Sequence, residues 1–438
     1  MDILLFNALA YTFIAISSRL FFKGNLIFTW IWSFWAFSAY TTIFLVNGMG
    51  FDVSKLDYLA FLYILCNLFF ITWPLLFLKK DRIDYRSLIS KNAKLIFLEK
   101  WPIVLFVILL LPTIENLILS FSIRTSDLES LYNRAESGVD IYHRLSFYSR
   151  NANRILDLIF YIAPFLLFRE LSKKRINSRN IGCILVVMLD ILLTAYNTAS
   201  RTEFVKLFFC FASYYLFFRY QIPSRRKKKL KMYALPIVVI FVVALSFITL
   251  SRYSAMSNEQ GALTWVSLYS GEGFYRFADL MWYKNDVVML GDDNFPLIRY
   301  MMGLKTYTNQ AERMSYWEPL LGVPNNIFYT FIGNFVSDFG FVTTTFLSII
   351  IGLIVHKLVV SMKKKVYYYQ VLVFSMIAVM LFFGIMHFVY KVWQDQFRLL
   401  GLIAFTIYVY FIEKKNSSRV DKLYYYIRMK NVQKQQIL

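Results

Sequence analysis

The sequence predicts an all-α polytopic membrane bundle of about eleven transmembrane helices, ten to twelve at most, with one large outer loop. Three observations carry that expectation. Of 438 residues, 58% are hydrophobic and 17% charged, far from the balance of a soluble domain. The apolar residues fall in repeated blocks of about 20, the length a helix needs to cross a bilayer. Lys and Arg gather in alternate connections between those blocks, as short cytoplasmic loops require.

Taken in order, the candidate spans lie near residues 3–22, 26–46, 58–78, 102–120, 152–168, 181–199, 203–218, 233–250, 337–357, 367–387 and 398–412. The first block has no basic stretch before it and no small-residue cleavage site after it, so it reads as a span and not as a cleaved leader. The fifth and eleventh are short and contain Asp157 and Arg398. Charge asymmetry restores them. Segments 79–100, 169–180, 219–231, 357–365 and 413–438 are rich in Lys and Arg. The chain must cross an even number of times between each consecutive pair of such cytoplasmic segments. Stretches 101–168 and 366–412 therefore each need two helices.

This map places the N-terminus outside and the C-terminus inside. A cytoplasmic N-terminus with one further span is the alternative. The chain divides into eight spans over 1–250, with an outer loop at about 121–151, then a large extracytoplasmic loop over 251–336, three spans over 337–412 and a basic cytoplasmic tail over 413–438. With Arg19 and Lys23, 32 of the 48 basic residues and 6 of the 27 acids face the cytoplasm. The net charge of +21 is thus a property of one face. It serves topology and contact with anionic lipid, and no motif supports a nucleic-acid partner. Cys66, Cys183 and Cys210 all lie in apolar blocks without disulfide or metal spacing. With three histidines in the chain, neither a metal site nor a cofactor is expected.

The two outer loops carry many aromatic residues, including Tyr132, Tyr142, Phe147 and Tyr148 in one and Trp265, Tyr269, Tyr275, Trp282 and Trp317 in the other. They are expected to fold back on the membrane surface as short amphipathic or re-entrant pieces. Their aromatics serve as interfacial belt residues or as stacking surfaces for sugar rings.

Which basic residue sits outside is informative. The outward set is eleven Arg and five Lys, whereas the cytoplasmic set is eleven Arg and twenty-one Lys. Topology needs only positive charge. The planar guanidinium adds a bidentate grip on phosphate or carboxylate, and most outward arginines also have acids nearby to pair with. Arg201 sits in the turn of a tight hairpin, Arg252 and Tyr253 follow the eighth span, Arg276 ends Gly271-Glu-Gly-Phe-Tyr-Arg276, and Arg299 follows Gly291-Asp-Asp-Asn-Phe-Pro296. These five are the candidate pyrophosphate and sugar ligands.

Glu272, Asp292, Asp293 and Asp338 are the acids close to them. General-base work needs a carboxylate within hydrogen-bond reach of a hydroxyl. Glu272, between two glycines and four residues before Arg276, is the first choice as catalytic base. Asp338, where the outer loop re-enters the membrane, is the second. Asp190, midway along the sixth span, must face the bundle interior and is expected to make an interhelical hydrogen bond. His387 is expected to be structural.

At Ser200-Arg-Thr-Glu-Phe204 the chain resembles the Gly/Ala-Ser-Arg stretch of Wzy-type O-antigen and capsular polysaccharide repeat-unit polymerases. The segment from Pro324 to Gly340, leading to Gly352, resembles that family's approach to a late span. Spaced Arg and Gly pairs of some polymerase loops are not reproduced. Asn325 stands where related O-antigen ligases carry a His before Asn. The resemblance implies a GT-C-like, multi-pass protein of the bacterial inner membrane that catalyses metal-independent, inverting glycosyl transfer at the outer face. The growing undecaprenyl-pyrophosphate-linked chain would be the donor and a lipid-linked repeat unit the acceptor, with a chain-length regulator and a flippase as partners. The competing classes are a lipid-linked oligosaccharide flippase or other transporter, and a ligase. A flippase is expected to show two similar halves and charge lining a cavity through the membrane; here no internal repeat is seen and buried charge is expected to be sparse.

Overall fold

Helix periodicity sorts each apolar block into a lipid-facing and a protein-facing side. The computed structural model describes residues 2–21, 26–78, 96–123, 145–198, 200–230, 232, 262–307, 310–325, 327–363 and 366–435. Helix α1 (Asp2–Phe21) buries Leu4, Ala8, Tyr11 and Ala15 at helical spacing. Phe13 and Phe21, off that stripe, are exposed. Helix α2 (Leu26–Met49) packs along α1. Helix α3 (Tyr58–Thr72) starts where the Asp57 carboxylate accepts the Leu59 N–H at 2.9 Å, and continues as a 3₁₀ turn over Trp73–Phe77.

Helix α4 (Ile96–Ser122) packs along its length against α7 (Ser178–Asn197). Between them the Asn116 amide donates to Asp190 at 2.8 Å, the interhelical bond expected of a carboxylate in that position. Between α4 and α7 the expected span at 152–168 is broken. Amphipathic α5 (Phe147–Ile159) and apolar α6 (Ile162–Ser172) meet at Phe160 and Tyr161. Pro164, in the first turn of α6, has no N–H to continue a ladder from α5. Arg150, Arg154 and Asp157 on α5 also exclude it from hydrocarbon. Helix α8 (Arg201–Phe218) completes the expected hairpin with α7.

The candidate span near 233–250 lies outside the described residues. After it, the loop expected on the membrane surface instead enters the bundle. Helix α9 (Ala262–Asp279) packs closely along α2. A Cβ on Gly271 would lie 2.5 Å from the Thr42 nitrogen, and one on Gly273 2.3 Å from the Ile385 oxygen. Only glycine allows those contacts. The short helices α10 (Pro296–Met301) and α11 (Gln310–Leu321) follow.

Helix α12 (Thr330–Met362) is interrupted at Gly340, whose φ of 75° and ψ of 172° no neighbouring helical residue shares. Its first ten residues form a short buried segment, and the remainder packs against α3, where a Cβ on Gly352 would meet the Phe70 oxygen at 2.0 Å. Helix α13 (Tyr368–Phe383) packs on α8, and α14 (Trp393–Gln435) closes against α13 and α5. The Phe331 N–H donates to the Gly384 oxygen at 2.8 Å and the Thr330 N–H to Met386 at 3.0 Å. The short segment of α12 is thereby tied to the chain leaving α13.

The described residues are helical throughout their regular elements, and seven helices are long and apolar enough to cross a membrane. They are Asp2–Phe21, Leu26–Met49, Tyr58–Phe77, Leu98–Ser122, Ser178–Asn197, Thr330–Met362 and Trp393–Lys414; Tyr368–Phe383 is apolar but shorter. Exposed Phe44, Val107, Phe121, Val342 and Phe346 cover the flanks. So much exposed apolar surface requires lipid. The chain is an α-helical, multi-pass membrane protein.

Candidate functional site

Helix α9 organises the site. Tyr269, Glu272 and Arg276 lie at i, i+3 and i+7 and so share one of its faces. Packing of Gly271 and Gly273 fixes that face. The glycines on either side of Glu272 are small because α2 and the Ile385 backbone press on them. Glu272 is buried and pairs with Arg276 at 3.4 Å. Burial raises the Glu272 pKa above the ordinary carboxylate range, with Arg276 partly opposing it. Arg276 also lies over the Phe51 ring, 4.7 Å from its centroid.

Arg201, first residue of α8, reaches the same face. It donates to the Tyr269 hydroxyl and stands 4.6 Å from that ring's centroid. Tyr269 in turn contacts Phe328, and Phe328 stacks on His387 at 5.7 Å. His387 donates from Nδ1–H to the Phe388 carbonyl oxygen, 3.0 Å away, and has Phe383 at its edge. Its ring is held by packing, as expected of a structural histidine.

A second group forms around the loop before α10. Asp338 accepts the N–H groups of Asp293 at 3.0 Å and Asn294 at 2.8 Å, and the Asn294 amide at 2.6 Å. Both its oxygens are thus engaged in holding a turn. Asp293, so placed, pairs with Lys391 at 3.2 Å and Arg313 at 3.7 Å, and accepts the Asn334 amide at 2.9 Å. Burial opposes its charge, but Lys391 and Arg313 prevail and hold its pKa below the ordinary value. Asp292 faces the other way, accepting from the Trp317 indole at 2.7 Å and lying 3.6 Å from Arg299. Arg299 also donates to the carbonyls of Met289, Leu290 and Lys305. Its guanidinium clamps a loop. Tyr329 lies within electrostatic reach of Arg276, Glu318, Glu272 and Asp293, linking the two groups.

Buried charge is not sparse, contrary to the sequence expectation. Lys206 of α8 bonds Asp395 of α14 at 2.6 Å and Glu203 at 3.2 Å. Arg398 bonds Asp395 at 3.1 Å, Asp157 at 2.8 Å and also Glu203. Two cations are thus shared among three carboxylates, pairing each buried charge. His387 lies within reach of both Lys206 and Lys391, so this network adjoins the loop group.

Of the sequence-derived candidates, the structure brings Arg201, Glu272 and Arg276 to one helix face. It places Asp338 beneath the Asp293 turn and Arg299 in its loop clamp. Arg252 and Tyr253 lie outside the described residues. Arg313, Asn294, Asn334, Lys391, Lys206 and Asp395 were not foreseen as ligands of one another. Charge at the weak fifth and eleventh spans was the available signal for Asp157 and Arg398. Among the described residues, no group of three or more His, Cys, Asp or Glu side chains is arranged to hold a metal ion. Comparison with protein-family models, curated protein sequences and solved structures found no match to this chain.

Proposed function

We propose that this protein joins lipid-linked oligosaccharide repeat units into a surface polysaccharide by inverting glycosyl transfer. The observation that carries this reading is the α9 face, where one buried carboxylate of raised pKa stands between Arg276 and the Arg201–Tyr269 pair. Such a face has the parts that glycosyl transfer from a pyrophosphate needs. Guanidinium groups stabilise charge developing on the leaving pyrophosphate. Glu272 accepts the proton of the attacking sugar hydroxyl. Tyr269 and Phe328 offer ring surfaces for the sugar, and Asp338 acts by positioning the Asp293 turn. The donor is an undecaprenyl-pyrophosphate-linked chain, the site opens to the outer face of a bacterial inner membrane, and the helices form a GT-C-like bundle of about eleven spans.

A transporter is the second reading, favoured by the Lys206–Asp395–Arg398 network, because ionisable groups within spans mark ion or substrate paths. Deletion separates the two. Loss of long polymer with single-unit product retained supports the polymerase, and loss of all surface product supports the flippase. Purified protein in nanodiscs, given lipid-linked repeat units, must then produce a ladder of products on a gel.

A further inference from the structure

A cavity of about 270 Å³ opens where α5 meets the end of α7 and the start of α14, away from the α9 face. Its walls include Arg150, Asn153, Arg154, Asp157, Thr194 and Gln394. Three features mark it as a built site. Arg150 and Arg154 are one helical turn apart, so both guanidinium groups project on the same side of α5. Among the described residues neither makes an ion pair, and the buried Nε of Arg150 has no hydrogen-bond partner. Asn153 is only 7% exposed, yet neither its amide nitrogen nor its oxygen has a partner. A buried amide left unbonded on both ends costs free energy, and a ligand in the cavity would satisfy it.

The remaining acid in the wall does not cancel the positive charge. Asp157 lies in the cavity wall, but its Oδ1 is held by Arg398 at 2.8 Å and by the Gln394 amide at 2.8 Å, so its charge is met by Arg398 rather than by Arg150 or Arg154. Thus the cavity presents two free cations and one free amide, with Thr194 adding a hydroxyl group. The volume matches about nine water molecules at roughly 30 Å³ each. That is room for a phosphate group with a small substituent, below the roughly 300 Å³ at which drug-sized pockets begin. Guanidinium pairs suit the several oxygens of a phosphate better than a neutral sugar.

We propose that this cavity binds a phosphate group, supplied either by the headgroup of an anionic phospholipid or by a soluble phosphate ester. Arg150 and Arg154 bind its oxygens, and Asn153 donates to one of them. The proposal does not depend on the glycosyl-transfer reading, since it uses none of the α9 residues.

The test uses the full chain in phosphatidylcholine nanodiscs, with thermal unfolding and calorimetry. Inorganic phosphate and glycerol phosphate are the soluble probes, with glycerol as the neutral control. Phosphate probes are expected to raise the Tm and glycerol to leave it unchanged. Arg154→Gln, at an exposed position, and Asn153→Leu are each expected to weaken phosphate binding at least tenfold. Nanodiscs of phosphatidylglycerol then distinguish the sources. Higher Tm in that lipid, abolished by Arg154→Gln together with the response to soluble probe, identifies the lipid headgroup. A soluble-probe response that persists unchanged there identifies the soluble ester. No response to phosphate or to phosphatidylglycerol, or responses identical in both variants and the parent chain, would overturn the proposal.

Discussion

Lys206 and Asp395, 189 residues apart in sequence, meet at 2.6 Å inside the bundle and join the α7–α8 hairpin to the last helix. Breaking one partner of an isolated buried pair costs about 3–5 kcal/mol; here Arg398 still compensates Asp395 and Glu203 still compensates Lys206, so the cost is smaller. Replacing both with apolar residues of similar volume is far less costly. Lys206→Met with Asp395→Leu is therefore expected to lower stability by less than the sum of the two single changes. Thermal unfolding of the four proteins gives the coupling energy. Strict additivity would mean that the pair does not bind the two helices together.

Glu272 sets a pH dependence. Ionised carboxylate is the form that accepts a proton, and burial raises its pKa. Turnover is therefore expected to rise as pH climbs through that value and to fall as pH drops, with the acid limb above the ordinary carboxylate range. Arg276→Gln removes the opposing charge and should move the limb to higher pH. Glu272→Gln should lower the rate by about 10²- to 10⁴-fold. A limb that does not move in Arg276→Gln would detach Glu272 from the chemistry.

Asp338 predicts a different signature. It holds the Asp293 turn through two backbone N–H groups and one amide. Asp338→Asn loses a charged acceptor and is expected to cost about 1–3 kcal/mol of stability, with activity falling because Asp293 and Lys391 are displaced. Unaltered unfolding with abolished turnover would instead make Asp338 a direct participant.

Guanidinium geometry is tested by lysine. Arg201 combines a hydrogen bond with a ring contact at Tyr269, and Arg276 combines an ion pair with the Phe51 ring. Neither combination is reproduced by an ammonium group. Arg201→Lys and Arg276→Lys are expected to shorten the polymer or reduce its yield at equal expression, and Arg252→Lys is tested alongside. Normal polymer from all three would remove the anion site.

Orientation can be measured directly by single-cysteine labelling. Positions 175, 227 and 420 should react only from the cytoplasmic side, and positions 201, 285 and 392 only from outside. A cytoplasmic Arg201 would place the α9 face on the wrong side for a lipid-linked donor.

The sequence made most spans legible because their apolar runs have the length that a bilayer selects. Asp190 was readable for the same reason: a carboxylate amid hydrocarbon had to find a partner across the bundle, and Asn116 is that partner. Helix α9 was not legible as a buried element. Ser270, Gly271, Glu272 and Gly273 lower its hydropathy, although small residues are what close helix packing uses. The fifth span failed at Tyr161, where proline and the charges of α5 outweighed average hydropathy. Long-range pairs such as Lys206 with Asp395 leave no local trace, since each residue alone is simply one charge near a helix end. Arg299 looked like a ligand because its sequence neighbourhood is polar, while its bonds to three carbonyls assign it to a loop.

The break at Gly340 bears on how the protein is made. The hydrophobic run that follows the break, from 341 to 362, is long enough for insertion by itself, at about 20 residues per bilayer crossing. The first two residues of the segment before it, Thr330 and Phe331, find their backbone acceptors at Met386 and Gly384, and the Asn334 side-chain oxygen finds its donor at Phe388. Those partners emerge from the ribosome only after α13 has been synthesised. The Asp293–Lys391 group therefore cannot assemble while the chain is still being threaded into the membrane through α12. The Asp293–Lys391 group is completed late in biogenesis, when the final helices dock, so a chain truncated before residue 384 would retain most of its spans and the α9 residues but lack the Lys391 partner of Asp293 and the Asp395 partner of Lys206.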